Sequence, residues 1–366
     1  MVRLTKLVSV TLVALISACS GEVQRENNEG SQSLNADVFQ IGITGGLSRI
    51  PWEVAKRSQL ISAIEQKHAL RLEFISFANE ADAVLAYSAG QIDGVTSTLN
   101  TIVGTLQGSA GDSHLILLTD FSQSSHALLS KSIDDIQSLS DQPVHVQLNT
   151  ASHYFLFRAL ENAGLELSDV ELIDASTFDL QEGAIDGSIE TMAVGAPLLG
   201  QLRPLTEFRP ITTSEMLFGE MIGGLAVSAD VLESNSALGA ALVEVWFAAV
   251  EEIMADDGTF TRAGLSEVAQ LAGLSPRLVG ELLSPRDIIA DPKRALSLLN
   301  GDNLDATISG GQRFRTAAEA ASEELDLMAC AFECDGDVLD NGVGTQLRLD
   351  AKYLEAFVQG TSGDEG

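Results

Sequence analysis

The sequence has little positive charge, with 21 Lys and Arg residues against 52 Asp and Glu residues in a chain of 366. The resulting formal net charge of −31 argues against nucleic acid as a partner, because such binding needs a Lys- and Arg-rich surface that displaces counterions. The same shortage argues against a polybasic attachment to anionic lipid. The acid excess predicts high solubility and leaves the fold open.

Aromatic residues are also scarce, at 5% of the chain. Hydrophobic residues still make up 45% and charged residues 20%, which is ordinary for globular proteins and excludes wholesale disorder. Small aliphatic side chains must therefore fill most of the core. The length predicts two domains or one large domain.

Motifs that carry enzyme chemistry are missing. The five histidines, at positions 68, 114, 126, 145 and 153, show no zinc-binding spacing. There is no Gly-x-Ser-x-Gly elbow and no Gly-x4-Gly-Lys phosphate loop. We therefore predict that the chain is not an enzyme and uses no metal or cofactor.

The amino terminus is typical of an export signal. Arg3 and Lys6 precede an apolar stretch, residues 7–16, that is too short for a permanent membrane span. The following Ile16-Ser17-Ala18-Cys19 resembles a bacterial lipobox, in which the cysteine sulfur receives a diacylglycerol. We predict a signal peptide over 1–18 and lipidation of Cys19; an ordinary signal peptide with an incidental cysteine is the alternative.

Residues 19–37 are rich in Ser, Asn, Gln, Glu and Gly without apolar periodicity, and are predicted to be a flexible tether behind the lipid anchor. Removal of residues 1–18 takes away two positive charges and no acid, which changes the net charge from −31 to −33. The other two cysteines, Cys330 and Cys334, form a disulfide or stay free thiols, since no second Cys or His pair accompanies them for a metal.

The body of the chain alternates predicted strands and helices, which is typical of the α/β class with a mostly parallel sheet. Strands are predicted at residues 38–43, 70–75, 92–96, 115–119, 144–148, 170–173 and 185–189. Helices are predicted from about 51 to 64, at 80–89, 99–106, 133–139 and 152–163, and just before 183. Because the rhythm restarts near residue 133, we predict two similar α/β lobes. Beyond residue 228 the pattern is helical, at 238–254, 266–272 and 276–283.

Four passages in order resemble the periplasmic solute-binding proteins of ABC importers, in the nitrate, sulfonate, taurine and thiamine-precursor group. They are residues 77–94, ending in Ala89-Gly90-Gln91-Ile92-Asp93-Gly94; residues 133–146; residues 160–173; and Gly183-Ala184-Ile185-Asp186-Gly187. The likeness runs over roughly residues 38–308. The sequence departs from the family at Asp141-Gln142-Pro143 and after Gly187, and these departures leave the ligand class open.

The resemblance implies two α/β lobes joined by two crossing strands, with the ligand in the cleft between them, closure by hinge rotation and a helical C-terminal extension. The domain boundaries that follow are 38–122 for the first part of lobe one, 123–219 for lobe two, and 220–366 for the return to lobe one and the C-terminal helices.

Ligands of open α/β sheets lie beyond the carboxyl ends of the strands. The predicted ligand-binding residues are those that follow strands in this chain: Gly46, Leu47, Ser48, Arg49, Trp52, Ser97, Thr98, Asp120, Ser122, Asn149, Thr150, Ser152, His153 and Glu190. Arg49 suits an anionic headgroup. Each has a structural alternative: Trp52 as core, Ser152 as a helix cap, His153 as a buried polar residue, and Asp120 or Glu190 as a partner of Arg203 or Arg209.

The resemblance and the lipobox together predict a lipid-anchored protein of the periplasm or cell surface. It would act as a monomer and deliver a small polar solute (sulfonate or taurine, nitrate, or a pyrimidine-like compound) to an ABC permease and its ATPase. One alternative is a ligand-sensing lipoprotein with a signalling partner. Another is a pyrimidine-synthase-like enzyme of the same fold, which needs a cluster of His and Cys that the sequence does not offer.

Overall fold

The computed structural model describes residues 37–44, 49–78, 80–105, 111–205, 207–300, 304–321, 333–335, 338–340 and 346–363. The predicted signal peptide, Cys19 and most of the tether lie outside the described residues, as does Cys330. The described body lies within one compact unit of the chain.

The described strands form two sheets. Their bounds are β1 Val38–Ile43, β2 Arg71–Ser76, β3 Gly94–Thr98, β4 Ser113–Phe121, β5 His126–Ser130, β6 Pro143–Val146, β7 Glu171–Asp174, β8 Thr191–Gly195, β9 Arg209–Thr213, β10 Ile222–Ser228, β11 Glu333–Asp335, β12 Val338–Asp340 and β13 Gln346–Leu349. The larger sheet has eight strands in the order β11-β12-β13-β4-β10-β3-β1-β2, and the smaller has five in the order β7-β6-β8-β5-β9. We call each sheet with the helices packed on it the first lobe and the second lobe.

Helices fill the connections between the strands. Their bounds are α1 Ile50–Arg57, α2 Leu60–His68, α3 Glu80–Ser88, α4 Leu99–Thr105, α5 Ala151–Asn162, α6 Thr177–Asp186, α7 Leu198–Leu202, α8 Ala229–Ser234, α9 Ala237–Ile253, α10 Arg262–Ala272, α11 Pro276–Leu282, α12 Pro292–Leu299, α13 Asp305–Ala321 and α14 Lys352–Gly363. None of the described helices is both long and apolar enough to cross a membrane.

The chain crosses between the lobes twice. It leaves the first sheet at the end of β4 and enters the second at β5, then returns from β9 to β10. Since β10 comes back from the other lobe, it runs antiparallel to both β3 and β4, whereas β1 is parallel to β2 and β3. The first sheet is therefore mixed, and the expectation of a mostly parallel sheet is wrong on this point.

Two clusters of buried apolar residues form the core, and the larger one extends from the first lobe onto the second through residues such as Met192 and Val194 of β8. In the first lobe the two tryptophans, Trp52 of α1 and Trp246 of α9, are buried with ring centroids 5.2 Å apart. Helix α9 carries buried residues nearly all round, as expected for a helix covered on several sides. The second cluster is built around Tyr154, Phe155 and Leu156 of α5.

Two predicted elements differ from the structure, and the C-terminal region holds strands that the sequence does not predict. The predicted helix from 51 to 64 is two helices, because Ser58 between α1 and α2 is extended and its N–H bonds back to the last turn of α1. The predicted strand at 185–189 is wrong: α6 continues to Asp186, Gly187 ends it with a positive φ of 86°, and the strand is β8. The C-terminal region also contains three short strands, β11–β13, which extend the first sheet beside β4.

Candidate functional site

A cavity of ≈ 560 Å³ lies where the carboxyl ends of strands from both sheets meet. Its walls come from the segments that follow β2, β3, β4, β6, β7 and β8, and from the end of α11. This is the edge at which open α/β sheets bind ligands. Six of the predicted ligand-binding residues line the cavity: Arg49, Thr98, Asp120, Ser122, Thr150 and Ser152.

Glu80 joins the two lobes inside the cavity. It is the first residue of α3 in the first lobe, and its side chain is 6% exposed. Its Oε2 accepts a hydrogen bond from the N–H of Ala151, the first residue of α5 in the second lobe, at 2.9 Å. The hydroxyls of Thr101 and Thr98 donate to the same oxygen at 3.1 and 3.4 Å. Burial is the largest effect and raises the pKa of the Glu80 carboxyl above its ordinary value, although these hydrogen bonds act to lower it.

Asp120 brings a second carboxyl group to the cavity wall. It is 2% exposed, and its Oδ1 accepts from the hydroxyl of Thr119 at 2.7 Å. Gly223 of β10 pairs with Asp120 on one side and with Thr98 on the other. A Cβ on Gly223 would lie 2.1 Å from Asp120 Oδ1, so glycine is what lets this carboxylate lie across β10.

His126 contributes a neutral ring to the cavity wall. Burial lowers its pKa to about 4, so the imidazole is uncharged at neutral pH. Its Nδ1 lies 3.0 Å from the Ser125 hydroxyl. The Gly195 backbone packs so closely on the ring that an added Cβ would lie 2.8 Å from Nε2.

The rest of the wall combines apolar side chains with polar ones such as Gln147, Thr177 and Gln181. Phe77 and Leu198 line it from the first and second lobes, and Leu282 and Leu283 come from the end of α11. Phe178 of α6 also lines the cavity and is 65% exposed, which places it at the mouth. The cavity therefore offers both polar and apolar surface to a ligand.

Trp52 and Ser97 lie outside the cavity lining. The Trp52 ring is 1% exposed and packs on Phe74 and Trp246, which is the core alternative raised by its sequence position. Ser97 is 5% exposed in β3, pairs with Gly224 and faces away from its cavity-lining neighbour Thr98, because successive residues of a strand point to opposite faces.

Asn149, His153 and Glu190 are also outside the lining. Asn149 adopts a positive φ of 56°, and its N–H donates to His153 Nδ1 at 3.3 Å. The His153 ring is 1% exposed and stacks edge-on against Phe314, and burial lowers its pKa to about 3. Glu190 is exposed and accepts from the Ser132 hydroxyl at 3.2 Å. It precedes β8, so it lies at the end of that strand opposite the cavity.

Gly46, Leu47 and Ser48 fall outside the described residues, and so does Cys19. Among the residues that the structure describes, no group of three or more His, Cys, Asp or Glu is placed to hold a metal ion.

Sequence reasoning missed Glu80, His126 and the 194–198 segment. The last of these has a recognisable signal, since the apolar run Met192-Ala193-Val194 ends in Gly195-Ala196-Pro197, a strand followed by a turn. Glu80 gives no comparable local signal, because a Glu in the first turn of a helix is ordinary there.

No family model and no curated protein matches the chain. Solved structures do match. The alkanesulfonate-binding protein SsuA of Xanthomonas axonopodis pv. citri, bound to MOPS, is 17% identical, with a TM-score of 0.58 over 69% of this chain and 86% of that one. A conserved Candida albicans gene product with the generic periplasmic binding protein fold is 11% identical, with a TM-score of 0.61 over 79% and 92% of the two chains. The desulfurization enzyme DszB is 15% identical, with a TM-score of 0.52 over 75% and 91%.

At these identities the likeness concerns the fold. The chain has the periplasmic-binding-protein fold, with two α/β lobes, and the predicted fold class is confirmed. The resemblance to sulfonate-type binding proteins is confirmed at the same level.

Proposed function

We propose that the chain is a solute-binding protein that works outside the cytoplasm and passes a small organic solute to an ABC importer. The observation that supports this most is the cavity, which draws its walls from the strand ends of both lobes. A solute bound there contacts both lobes at once. It therefore has a higher affinity for the closed arrangement and can drive closure.

A binding role fits the cavity better than catalysis. DszB shares the fold, so the fold alone does not separate the two. The described cavity wall holds no cysteine. It does hold a serine and a histidine within hydrogen-bond distance, Ser125 and His126, but no third described residue is hydrogen-bonded to that ring to orient it as a catalytic base. The chain is accordingly proposed to be a binding protein, active as a monomer.

Attachment to the membrane through Cys19 completes the proposal. Its support is the quartet Ile16-Ser17-Ala18-Cys19 behind a short apolar stretch. Two or three acyl chains give stable anchoring without a membrane-spanning helix.

The experiment is a thermal-shift screen of the mature chain against alkanesulfonates, taurine, nitrate, pyrimidines, amino acids and organic amines. A cognate solute raises the melting temperature by mass action. Uptake of the same solute by cells carrying or lacking the gene then tests delivery. A solute that binds but whose uptake is unchanged by deletion points to the sensing alternative. For the anchor, labelled palmitate should appear in the wild type and be lost in Cys19→Ala; label retained in that variant contradicts lipidation.

A further inference from the structure

The α5 N-terminus faces the cavity and attracts negative charge. The first N–H groups of a helix lack partners within the helix, and the helix dipole favours an anion beside them. In this chain the N-cap residue, Thr150, donates its hydroxyl to the carbonyl of Gln147 at 2.7 Å instead of capping the helix. The anion at this position is the Glu80 carboxylate, which accepts from Ala151 N–H.

A sulfonate at this helix end would have to displace Glu80. That carboxylate is buried and held by three donors, so its removal from the site breaks charge-assisted hydrogen bonds. A sulfonate seated alongside it would instead meet a like charge at close range in a region of low polarity. Both arrangements are unfavourable for an anionic headgroup.

The other charges on the described cavity wall point the same way. Asp120 lies one strand beyond Thr98, across Gly223, and Thr98 itself donates to Glu80. The described cavity wall thus carries two carboxyl groups, those of Glu80 and Asp120. Arg49 is the positive residue on this wall, and its charge also acts on Glu53 of α1.

The size and the apolar residues of the cavity wall indicate what the uncharged part of the ligand is like. A volume of ≈ 560 Å³ is within the range of sites that enclose organic molecules of moderate size, and is far more than a nitrate ion fills. Phe77, Phe178, Leu198, Leu282 and Leu283 present apolar surface to that volume.

We propose that Glu80 is a specificity-determining residue, and that the cavity takes an organic ammonium compound with an apolar body in place of an alkanesulfonate. The inference rests on the proposed function, since it names the solute class of the same cavity. Glu80 has two roles in it: it occupies the anion position of α5, and it provides the negative charge that an ammonium group pairs with.

The first test asks whether Glu80 fills an anion site. In Glu80→Ala the α5 N-terminus is vacated, so methanesulfonate should raise the melting temperature of this variant by about 2 °C or more and leave the wild type unchanged. Glu190→Ala, which removes an exposed carboxylate outside the cavity lining, is the matched control and should behave like the wild type.

The second test compares probes of equal chain length, hexylammonium and hexanesulfonate, by calorimetric titration. The wild type should bind hexylammonium and show no measurable binding of hexanesulfonate. Glu80→Gln keeps an oxygen that accepts from Ala151 N–H and so preserves the fold; it should weaken hexylammonium binding about tenfold or more. Glu190→Gln should leave the affinity unchanged.

Equal methanesulfonate shifts in the wild type and Glu80→Ala would overturn the inference, as would wild-type binding of hexanesulfonate in preference to hexylammonium. Binding of neither probe by the wild type also overturns it. These outcomes test the solute class alone. The proposed function is tested by the solute screen and the uptake assay, which do not depend on the charge of the solute. If Glu80→Ala does not fold, the Glu80→Gln comparison decides alone.

Discussion

At the residue scale, burial sets the charge of several groups around the cavity. His126 and His153 are both buried, with pKa values lowered to about 4 and about 3, so both rings are neutral at physiological pH. For the carboxyl group of Asp287 the pKa changes in the opposite direction, although burial again favours the neutral form. Burial raises its pKa to about 6, although the hydrogen bond from Ser284 N–H and the positive charge of Arg294 act to lower it. It belongs to the segment that pairs with the end of β4 through Ile288.

Replacing Asp287 with Asn should therefore change the pH dependence of stability. Because the carboxyl pKa is raised from its ordinary value of 3.8 to about 6, its contribution favours the folded state at low pH and is lost as pH rises through about 6. Asp287→Asn should gain stability relative to the wild type between about pH 4 and about pH 7, by about 1–2 kcal/mol once solvent screening is allowed for. Asn keeps an acceptor for Ser284 N–H, which Asp287 now receives at 3.1 Å.

Urea unfolding at a series of pH values measures this difference. Asp291→Asn is the matched control, because Asp291 is an exposed carboxylate that caps α12 by accepting from Lys293 N–H at 2.9 Å. Unfolding free energies of the wild type and Asp287→Asn that stay parallel from about pH 4 to about pH 7 would contradict the role given to burial.

At the scale of elements, α13 connects the two lobes away from the cavity. The Asn100 amide of α4 donates to the Thr307 carbonyl at 3.2 Å, and the Thr307 hydroxyl donates to the Glu220 carbonyl at 2.8 Å. Toward the second lobe, Arg313 pairs with Glu161 of α5 at 3.0 Å. Phe314 meets the Tyr154 ring edge-on at 5.5 Å. The helix thus contacts α4, α5 and the segment before β10.

Two neighbouring glycines of α13 give a matched test of this packing. A Cβ on Gly310 would lie 2.2 Å from the Tyr154 hydroxyl and 2.9 Å from Glu220 Oε1, whereas the nearest atom to a Cβ on Gly311 lies at 3.5 Å. Gly310→Ala should destabilise the protein by about 1–3 kcal/mol through overpacking. Gly311→Ala should be neutral or stabilise it by up to about 1 kcal/mol, since alanine favours helix. Denaturant unfolding compares them; equal effects would mean that α13 does not pack on this cluster as described.

Several strands of the fold could be predicted from the sequence, and one could not. Strands such as β1, β2 and β4 are predicted within two residues at each end, because apolar runs bounded by turn residues are local signals. The strand expected at 185–189 fails because Ile185 continues a helical period and the stop lies at Gly187. The sequence predicts that Glu190 follows a strand, but it precedes β8. It therefore lies at the amino end of that strand, away from the cavity.

Site residues are harder to predict because tertiary packing decides which side of an element faces the cavity. Trp52 lies beside the correct loop, but its helix turns the ring toward Trp246 of α9, nearly two hundred residues later in the chain. Glu80 reaches Ala151 only because the second lobe brings α5 to the end of α3. The sequence of neither segment predicts the contact between Glu80 and Ala151.

At the scale of the whole molecule, the net charge of −31 predicts a stability that depends on salt. Self-repulsion among acids destabilises the compact state, and the Debye length falls from about 30 Å at 0.01 M to about 3 Å at 1 M ionic strength. The melting temperature should therefore rise by several degrees as NaCl is increased across this range. Differential scanning calorimetry measures it, and a flat or falling melting temperature would show that the acids are already compensated by pairing.

The position of β10 also sets an order of events during synthesis. This strand lies between β3 and β4 in the first sheet, yet it is made only after the whole second sheet. At about 5–20 residues per second, roughly 5–20 s pass between the completion of β4 and the arrival of β10. For that interval β3 and β4 have no strand between them, and the first lobe cannot reach its final hydrogen bonding while the chain is still growing. The order of the strands along the chain therefore makes completion of the first sheet a late event in synthesis.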